Sequence, residues 1–534
     1  MSPSFAVHAP RICFQWSRRG AVLLAMLGGL SACGQTGSGS AANGGSSAQG
    51  GSAQGGNISQ GGSSAGGAPS AGASGSLNGG SGGTFSSAGT SGLGGSSGSA
   101  GSSSHPTPGV GSGQALSSTL IGQNYWTEPD TEALWPVVKA SGVKLIRFGG
   151  AGADDERPSN ERYAAVVNAI RAIGAEPYLQ ISRYFDAARA KAIVDYINNA
   201  QHLHVSLWSI NNEPDIGANE PLMSVTDSAN LVKSLASAMK EADATIQIFA
   251  PEVAYYNEQY LGPMLGGASD ITGKDANGRY YIDGVSFHSY PFGANYTRDQ
   301  ATGAAAGMKA SVAKLMTALA SANQKNGRTG AAALRWALTE FNISYQNPAD
   351  NSVTSFGVHS FLNGQYFAEL YGIGMANGAV TFAPWSIHES SGNRSPSDLG
   401  YLDGPVGSPT PRSSYYHLQM IAQNFAGNHA PTTSSQPLLR AVAAGNGTQV
   451  SVLLLNESLD QSYAFGVRLD GGKLTTPAAV TVTVDAALPA EFSGNLAAQS
   501  STLLLFDAAG KLIKRIDYAL ADAQKAGPPR QVTP

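Results

Sequence analysis

From about Leu116 to Ala430, short apolar runs alternate with longer stretches in which apolar residues recur every three or four positions. The short runs predict strands at 119–125, 143–148, 177–181, 205–210, 245–250, 282–287, 335–339 and 379–385. Between them the helical period sets Tyr163, Val166, Val167, Ile170 and Ile173 on one face, and Leu231, Leu235 and Met239 on another. A third face carries Met308, Val312, Leu315 and Leu319, and a last helix is expected near 415–425. Eight strands with crossover helices predict an α/β chain folded as a (β/α)₈ barrel over 116–430. A doubly wound dinucleotide fold is disfavoured, because no G-x-G-x-x-G follows an early strand.

Beyond Ala430 the helical period stops. Runs at 438–443, 448–455, 462–469, 480–484 and 501–506, divided by Gly, Asn and Asp turns, predict a small antiparallel β-sandwich over 431–520. The tail, 521–534, is expected to fray from Gly527 onward. At the other end, 34–115 is almost entirely Gly, Ser and Ala, too poor in apolar side chains to offset its ordering entropy. As a coil of about 80 residues it spans about 50 Å, a length suited to a tether. Residues 1–33 read as an export signal: Arg11, Arg18 and Arg19 precede the apolar run Ala21 to Leu30. That run ends in Leu-Ser-Ala-Cys-Gly, which resembles a bacterial lipobox and implies lipid on Cys33.

The two cysteines are Cys13 and Cys33. One would leave with the signal and the other would carry lipid, so no disulfide and no thiolate metal site is expected. Metal catalysis is disfavoured further: there is no H-E-x-x-H, and His202-x-His204 precedes the fourth strand, at the wrong end of a barrel. Net charge is −4 with no basic stripe, which argues against nucleic acid as a partner.

Barrel enzymes carry their chemistry at the C-terminal strand ends. The fourth strand runs into Asn211-Asn212-Glu213-Pro214 and the seventh into Thr339-Glu340-Phe341-Asn342. Strands 4 and 7 face each other across the mouth, so each delivers one carboxylate to a shared cleft. Glycoside cleavage with retention needs such a pair, one to protonate the leaving oxygen and one to attack the anomeric carbon, about 5–5.5 Å apart. Asn-Glu-Pro at strand 4 with Glu at strand 7 resembles clan A of the glycoside hydrolases, the 4/7 superfamily. The trailing sandwich is similar to that of its arabinofuranosidase, xylosidase and glucuronidase/heparanase-like members. The resemblance implies Glu213 as acid/base, Glu340 as nucleophile and Asn212 as ligand of the sugar 2-hydroxyl. Asn211 stands where many relatives have Gly.

Phe287-His288-Ser289-Tyr290 ends the sixth strand, where clan members often have His and Tyr. His288 is expected to bind substrate and Tyr290 to donate to Glu340. Arg147, near the end of strand 2, can offset the carboxylate charge, and Trp385, ending strand 8, can stack on a sugar face. Glu252 and Glu389 are competing carboxylates after strands 5 and 8, expected at most to bind substrate. Asp154, Asp155 and Glu156 are expected in a solvated loop. The expectation is a cofactor-independent, monomeric retaining glycosidase. It would act on extracellular polysaccharide or oligosaccharide, lipid-anchored in the bacterial envelope at the outer membrane or cell surface. The alternative is a non-catalytic carbohydrate-binding lipoprotein on the same barrel, which would have no need of both glutamates.

Overall fold

The computed structural model describes residues 113–126, 133–218, 220–389, 398–470, 479–484 and 490–534. Cys33 and nearly all of the Gly/Ser/Ala tract lie outside them. The eight apolar runs form eight parallel strands in sequence order: β1 Gly122–Tyr125, β2 Leu145–Phe148, β3 Glu176–Ile181, β4 Leu207–Ile210, β5 Gln247–Phe249, β6 Gly284–Ser289, β7 Arg335–Phe341 and β8 Phe382–Pro384. A bridge between Ile121 and Phe382 returns β8 to β1 and closes the barrel.

The crossover helices are α1 Trp135–Ser141, α2 Ala151–Glu156, α3 Asn160–Ala172, α4 Ala187–Val194, α5 Val225–Ala242, α6 Glu258–Met264, α7 Arg298–Lys325, α8 Phe361–Ala376 and α9 Ser413–Asn424. Side-chain caps start many of them. Ser159, Asp186, Ser224 and Ser360 each accept from a backbone N–H of the first turn, and Thr297 with Gln300 forms a capping box on α7. The expected faces of α3 and α7 are buried; on α5, Leu235 and Met239 are buried and Leu231 half-buried.

Strand alternation decides what enters the barrel. Leu145, Tyr178, Leu207, Phe249, Ala337 and Val380 form an apolar layer at its base, while Ile146, Phe148, Leu179, Ile181, Trp208 and Ile210 belong to the larger core under the helices. Two residues beyond Leu145 and Tyr178 stand Arg147 and Gln180. The same pleat therefore carries them inside, one layer nearer the mouth.

Ten of the remaining strands form a sandwich, antiparallel as expected except that 432–434 runs parallel to 479–484; 402–403 and 410–411 pair apart from it as a short hairpin. Six pair in the order 428–430, 439–445, 449–456, 500–507, 512–519 and 530–532, and four in the order 432–434, 479–484, 463–470 and 492–496. Polar anchors join the larger sheet to the barrel helices: Gln365 of α8 donates to the carbonyls of Asn456 and Ser500, and His417 of α9 lies 2.8 Å from Ser501 Oγ.

Two expectations need correction. The C-terminal tail does not fray: Arg530, Gln531 and Val532 pair with Asp517, Ile516 and Arg515 as an edge strand. Residues before Leu116 also pack on the folded part: Ala115 bridges Asn428 and Gly113 N–H donates to the His429 carbonyl.

Candidate active site

Arg147 organises the mouth of the barrel. It is fully buried. Its Nη1 donates to Asn124 Oδ1 and Glu340 Oε1, both at 2.9 Å. Its Nη2 reaches Gln180 Oε1 at 2.9 Å, Asn212 Oδ1 at 3.2 Å and Glu252 Oε2 at 2.7 Å. One guanidinium thus links β1, β3, β7 and the loops after β4 and β5. Burial opposes its charge, but Glu252 and Glu340 more than compensate, and its pKa lies above the usual arginine value.

Glu340 accepts from Arg147 through one carboxylate oxygen and from the Tyr290 hydroxyl through the other, at 2.7 Å. Burial pushes its pKa above the ordinary carboxylate range; His288, Arg147 and Tyr290 pull it down, while Glu213 adds to the rise. His288 Nδ1 lies 3.0 Å from Glu213 Oε1 and 3.7 Å from Glu340 Oε2. Burial lowers the His288 pKa, yet Glu340 and then Glu213 bring it above the ordinary histidine value. Glu213, His288 and Glu340 bring one oxygen or nitrogen each within 4.8 Å of one another. Such a triad can in principle ligate a cation, but Arg147 already holds a fixed positive charge 2.9 Å from Glu340. The arrangement is better suited to holding and moving a proton between two acids.

The backbone around Glu213 is unusual. Asn211, Glu213 and Glu252 have φ of +82°, +44° and +55°. Left-handed conformations cost non-glycine residues energy, and asparagine bears them best. That accounts for Asn211 at a position where glycine would fit. Glu213 N–H donates to the Glu252 carbonyl at 2.8 Å, so the β4 and β5 loops hold each other in this shape.

The structure brings together the predicted Glu213, Glu340, Asn212, His288, Tyr290, Arg147 and Trp385. Trp385 is half-buried. A Cβ placed on Gly150 (φ +88°) would stand 2.5 Å from the Trp385 ring and 3.6 Å from Glu340 Oε1, so this ring borders Glu340. Trp385 Nε1 donates to Glu389, which also accepts from Leu399 N–H. Three expectations change. Glu252 is wholly buried and serves as the counter-ion of Arg147, out of reach of substrate. His288 is likewise wholly buried, and its contacts are the two glutamates. Asp154 is not solvated: it is fully buried in α2, and burial with the neighbouring Glu220 pushes its pKa up to about 8.

Sequence reasoning missed Asn124, Gln180 and Trp126. A signal existed for the first two, since each is a polar residue inside a short buried strand. Trp126 follows β1, and its ring lies 6.4 Å from that of Trp385.

No protein-family model matches the chain, and no curated protein matches it. Solved structures do share its fold. An α-L-arabinofuranosidase from Thermotoga maritima, in complex with arabinose, superposes with a TM-score of 0.54 at 15% identity, covering 74% of this chain and 98% of its own. A family 51 α-L-arabinofuranosidase from Bifidobacterium longum gives 0.54 at 14% identity over 73% of this chain and 96% of its own. At such identities the likeness is one of fold: the barrel with added antiparallel sheets is that of known glycosidases.

Proposed function

We propose that the protein is a retaining glycoside hydrolase in which Glu340 is the nucleophile and Glu213 the acid/base. One observation carries the reading. Two glutamates from opposite strands meet within 4.8 Å at the barrel mouth, one clamped by Arg147 and Tyr290 and the other against His288. A closest approach within 4.8 Å is in keeping with the ~5–5.5 Å between carboxyl groups of retaining enzymes rather than the ~6.5–9.5 Å of inverting ones.

In the first step a Glu340 oxygen bonds to the anomeric carbon, the bond to the leaving oxygen breaks, and that oxygen takes a proton from Glu213. His288, 3.0 Å from Glu213, can hold that proton in reserve. In the second step Glu213 removes a proton from water, which displaces Glu340 and frees the sugar. Arg147 and Tyr290 stabilise the glutamate as it departs. Asn212 gives its oxygen to Arg147, which leaves its amide N–H₂ to donate to a sugar hydroxyl.

The test is a panel of 4-nitrophenyl glycosides, beginning with the α-L-arabinofuranoside because the structures of like fold are described as arabinofuranosidases. Turnover of at least one member is expected. Glu340→Ala should lose it by several orders of magnitude, and Glu213→Ala by about 10²–10⁴-fold on substrates with poor leaving groups. No turnover of any member by the wild type would favour a carbohydrate-binding barrel instead. We also propose that lipid on Cys33 holds the enzyme in the bacterial envelope. Cys33→Ser should then move the protein from the membrane to the soluble fraction, and unchanged retention would refute the anchor.

A further inference from the structure

Large apolar side chains are exposed at few places among the described residues. Four of them, Tyr184, Leu222, Tyr255 and Tyr345, stand in the loops after β3, β4, β5 and β7, at the end of the barrel that holds the two glutamates. Leu222 shares the loop of Glu213, and Tyr184 and Tyr255 stand in the loops on either side of it, where polar contacts hold them.

Tyr255 is 51% exposed. Its hydroxyl accepts from Asn257 Nδ2 at 3.2 Å, and the same nitrogen donates to Asp215 Oδ2 at 3.1 Å. Asp215 Oδ1 takes the Ala254 N–H at 2.8 Å. Asp215 is two residues from Glu213, so the Tyr255 loop is fastened to the segment carrying that glutamate. Tyr184 is 41% exposed on the other side. The Arg157 guanidinium lies 4.7 Å from its ring centroid and backs the ring. The preceding Arg183 makes a buried 2.6 Å ion pair with Glu220, again in the loop after β4. The Tyr255 hydroxyl, through Asn257, and the residue preceding Tyr184, through its ion pair, are thus each tied to the one loop that follows Glu213.

Position gives these rings a direction. An acid/base must lie against the leaving oxygen, so whatever is joined to that oxygen extends over β4 and its neighbours β3 and β5. A tyrosine offers an apolar face and a polar edge. A sugar ring has the matching form, a face of C–H groups rimmed by hydroxyls, and Asn257, Arg157 and Asp215 supply hydrogen-bonding groups beside the rings.

We infer that Tyr184 and Tyr255 are stacking platforms for sugar units on the leaving-group side of the scissile bond, so that the substrate is a carbohydrate chain gripped beyond the bond that breaks. The inference rests on the hydrolase reading for its direction.

Affinity electrophoresis of the full chain, in gels containing soluble arabinan, arabinoxylan or mixed-linkage β-glucan, tests it. The wild type is expected to be retarded by at least one polymer. Tyr184→Ala and Tyr255→Ala should each weaken that binding by about 3- to 10-fold, as expected of one aromatic contact, and the double variant should lose most of it. Tyr→Phe at either position keeps the ring and should keep most of the binding. Absence of retardation by all three polymers, a double variant that binds like wild type, or Phe variants as weak as Ala would each overturn the platforms. Hydrolysis of the aryl glycoside is scored separately. Turnover by an enzyme whose double variant binds normally sinks the platforms alone. Retardation without any wild-type turnover sinks the hydrolase reading instead.

Discussion

Tyr290→Phe isolates one bond to the proposed nucleophile. The hydroxyl donates to Glu340 Oε2 at 2.7 Å, while Arg147 holds the other oxygen. Burial already raises the Glu340 pKa, and Tyr290 is one of the groups pulling it back. A hydrogen bond to a charged group is worth about 1.5–3 kcal/mol, and 1.36 kcal/mol corresponds to one pKa unit, so its loss should raise the Glu340 pKa by about one to two units. The nucleophile must be ionised to attack, so the acidic limb of kcat/KM should move to higher pH by that amount. Below both limbs the variant should be slower by about 10- to 100-fold; on the plateau the loss should be smaller, since a more basic carboxylate is also a better nucleophile. The assay is kcat/KM on a hydrolysed 4-nitrophenyl glycoside from about pH 4 to pH 8. The wild-type limb should itself lie above the ordinary glutamate value of about 4.3. If Tyr290→Phe lowers the plateau and leaves the limb in place, Tyr290 does not hold the Glu340 charge and the reasoning fails.

Gly150→Ala should disturb the same site from the opposite side. Its Cβ would overlap the Trp385 ring, and φ +88° is costly for alanine, so a loss of about 1–3 kcal/mol in stability and a raised KM are expected; an unchanged KM would remove Trp385 from substrate binding. Asp154→Asn tests a buried proton. The folded state keeps Asp154 protonated up to about pH 8, whereas the unfolded chain releases that proton near its ordinary value of 3.8, so stability is fully present below about pH 4 and is lost as the pH rises through about 8. Asparagine cannot titrate, so the variant should show a flatter fall in Tm between about pH 5 and pH 8; an unaltered slope would show that Asp154 is already charged in the fold.

Much of this was legible in the sequence because it was written locally. Each barrel strand was a short apolar run, and the two glutamates sat at strand ends beside turn-forming residues. What was hidden depended on closure of the barrel. Arg147 could be guessed as a counter-charge, but its partners come from β1, β3, β7 and the loops after β4 and β5, and only the closed barrel brings them to one guanidinium. Asp154 lies in an Asp-Asp-Glu run that looks solvated; Arg183 and Glu220, from two later loops, cover it. The tail around Gly527-Pro528-Pro529 shows no apolar alternation, and its order comes from backbone pairing with the 512–519 strand.

The central claim is double displacement by Glu340 and Glu213, and the anomeric configuration of the first product tests it most directly. On the aryl glycoside that the wild type hydrolyses, proton NMR of the reaction within its first minutes should show the sugar released with the configuration it had in the substrate, before mutarotation mixes the anomers. Initial release of the opposite anomer would mean direct attack by water, and would contradict the account even if both glutamates proved essential.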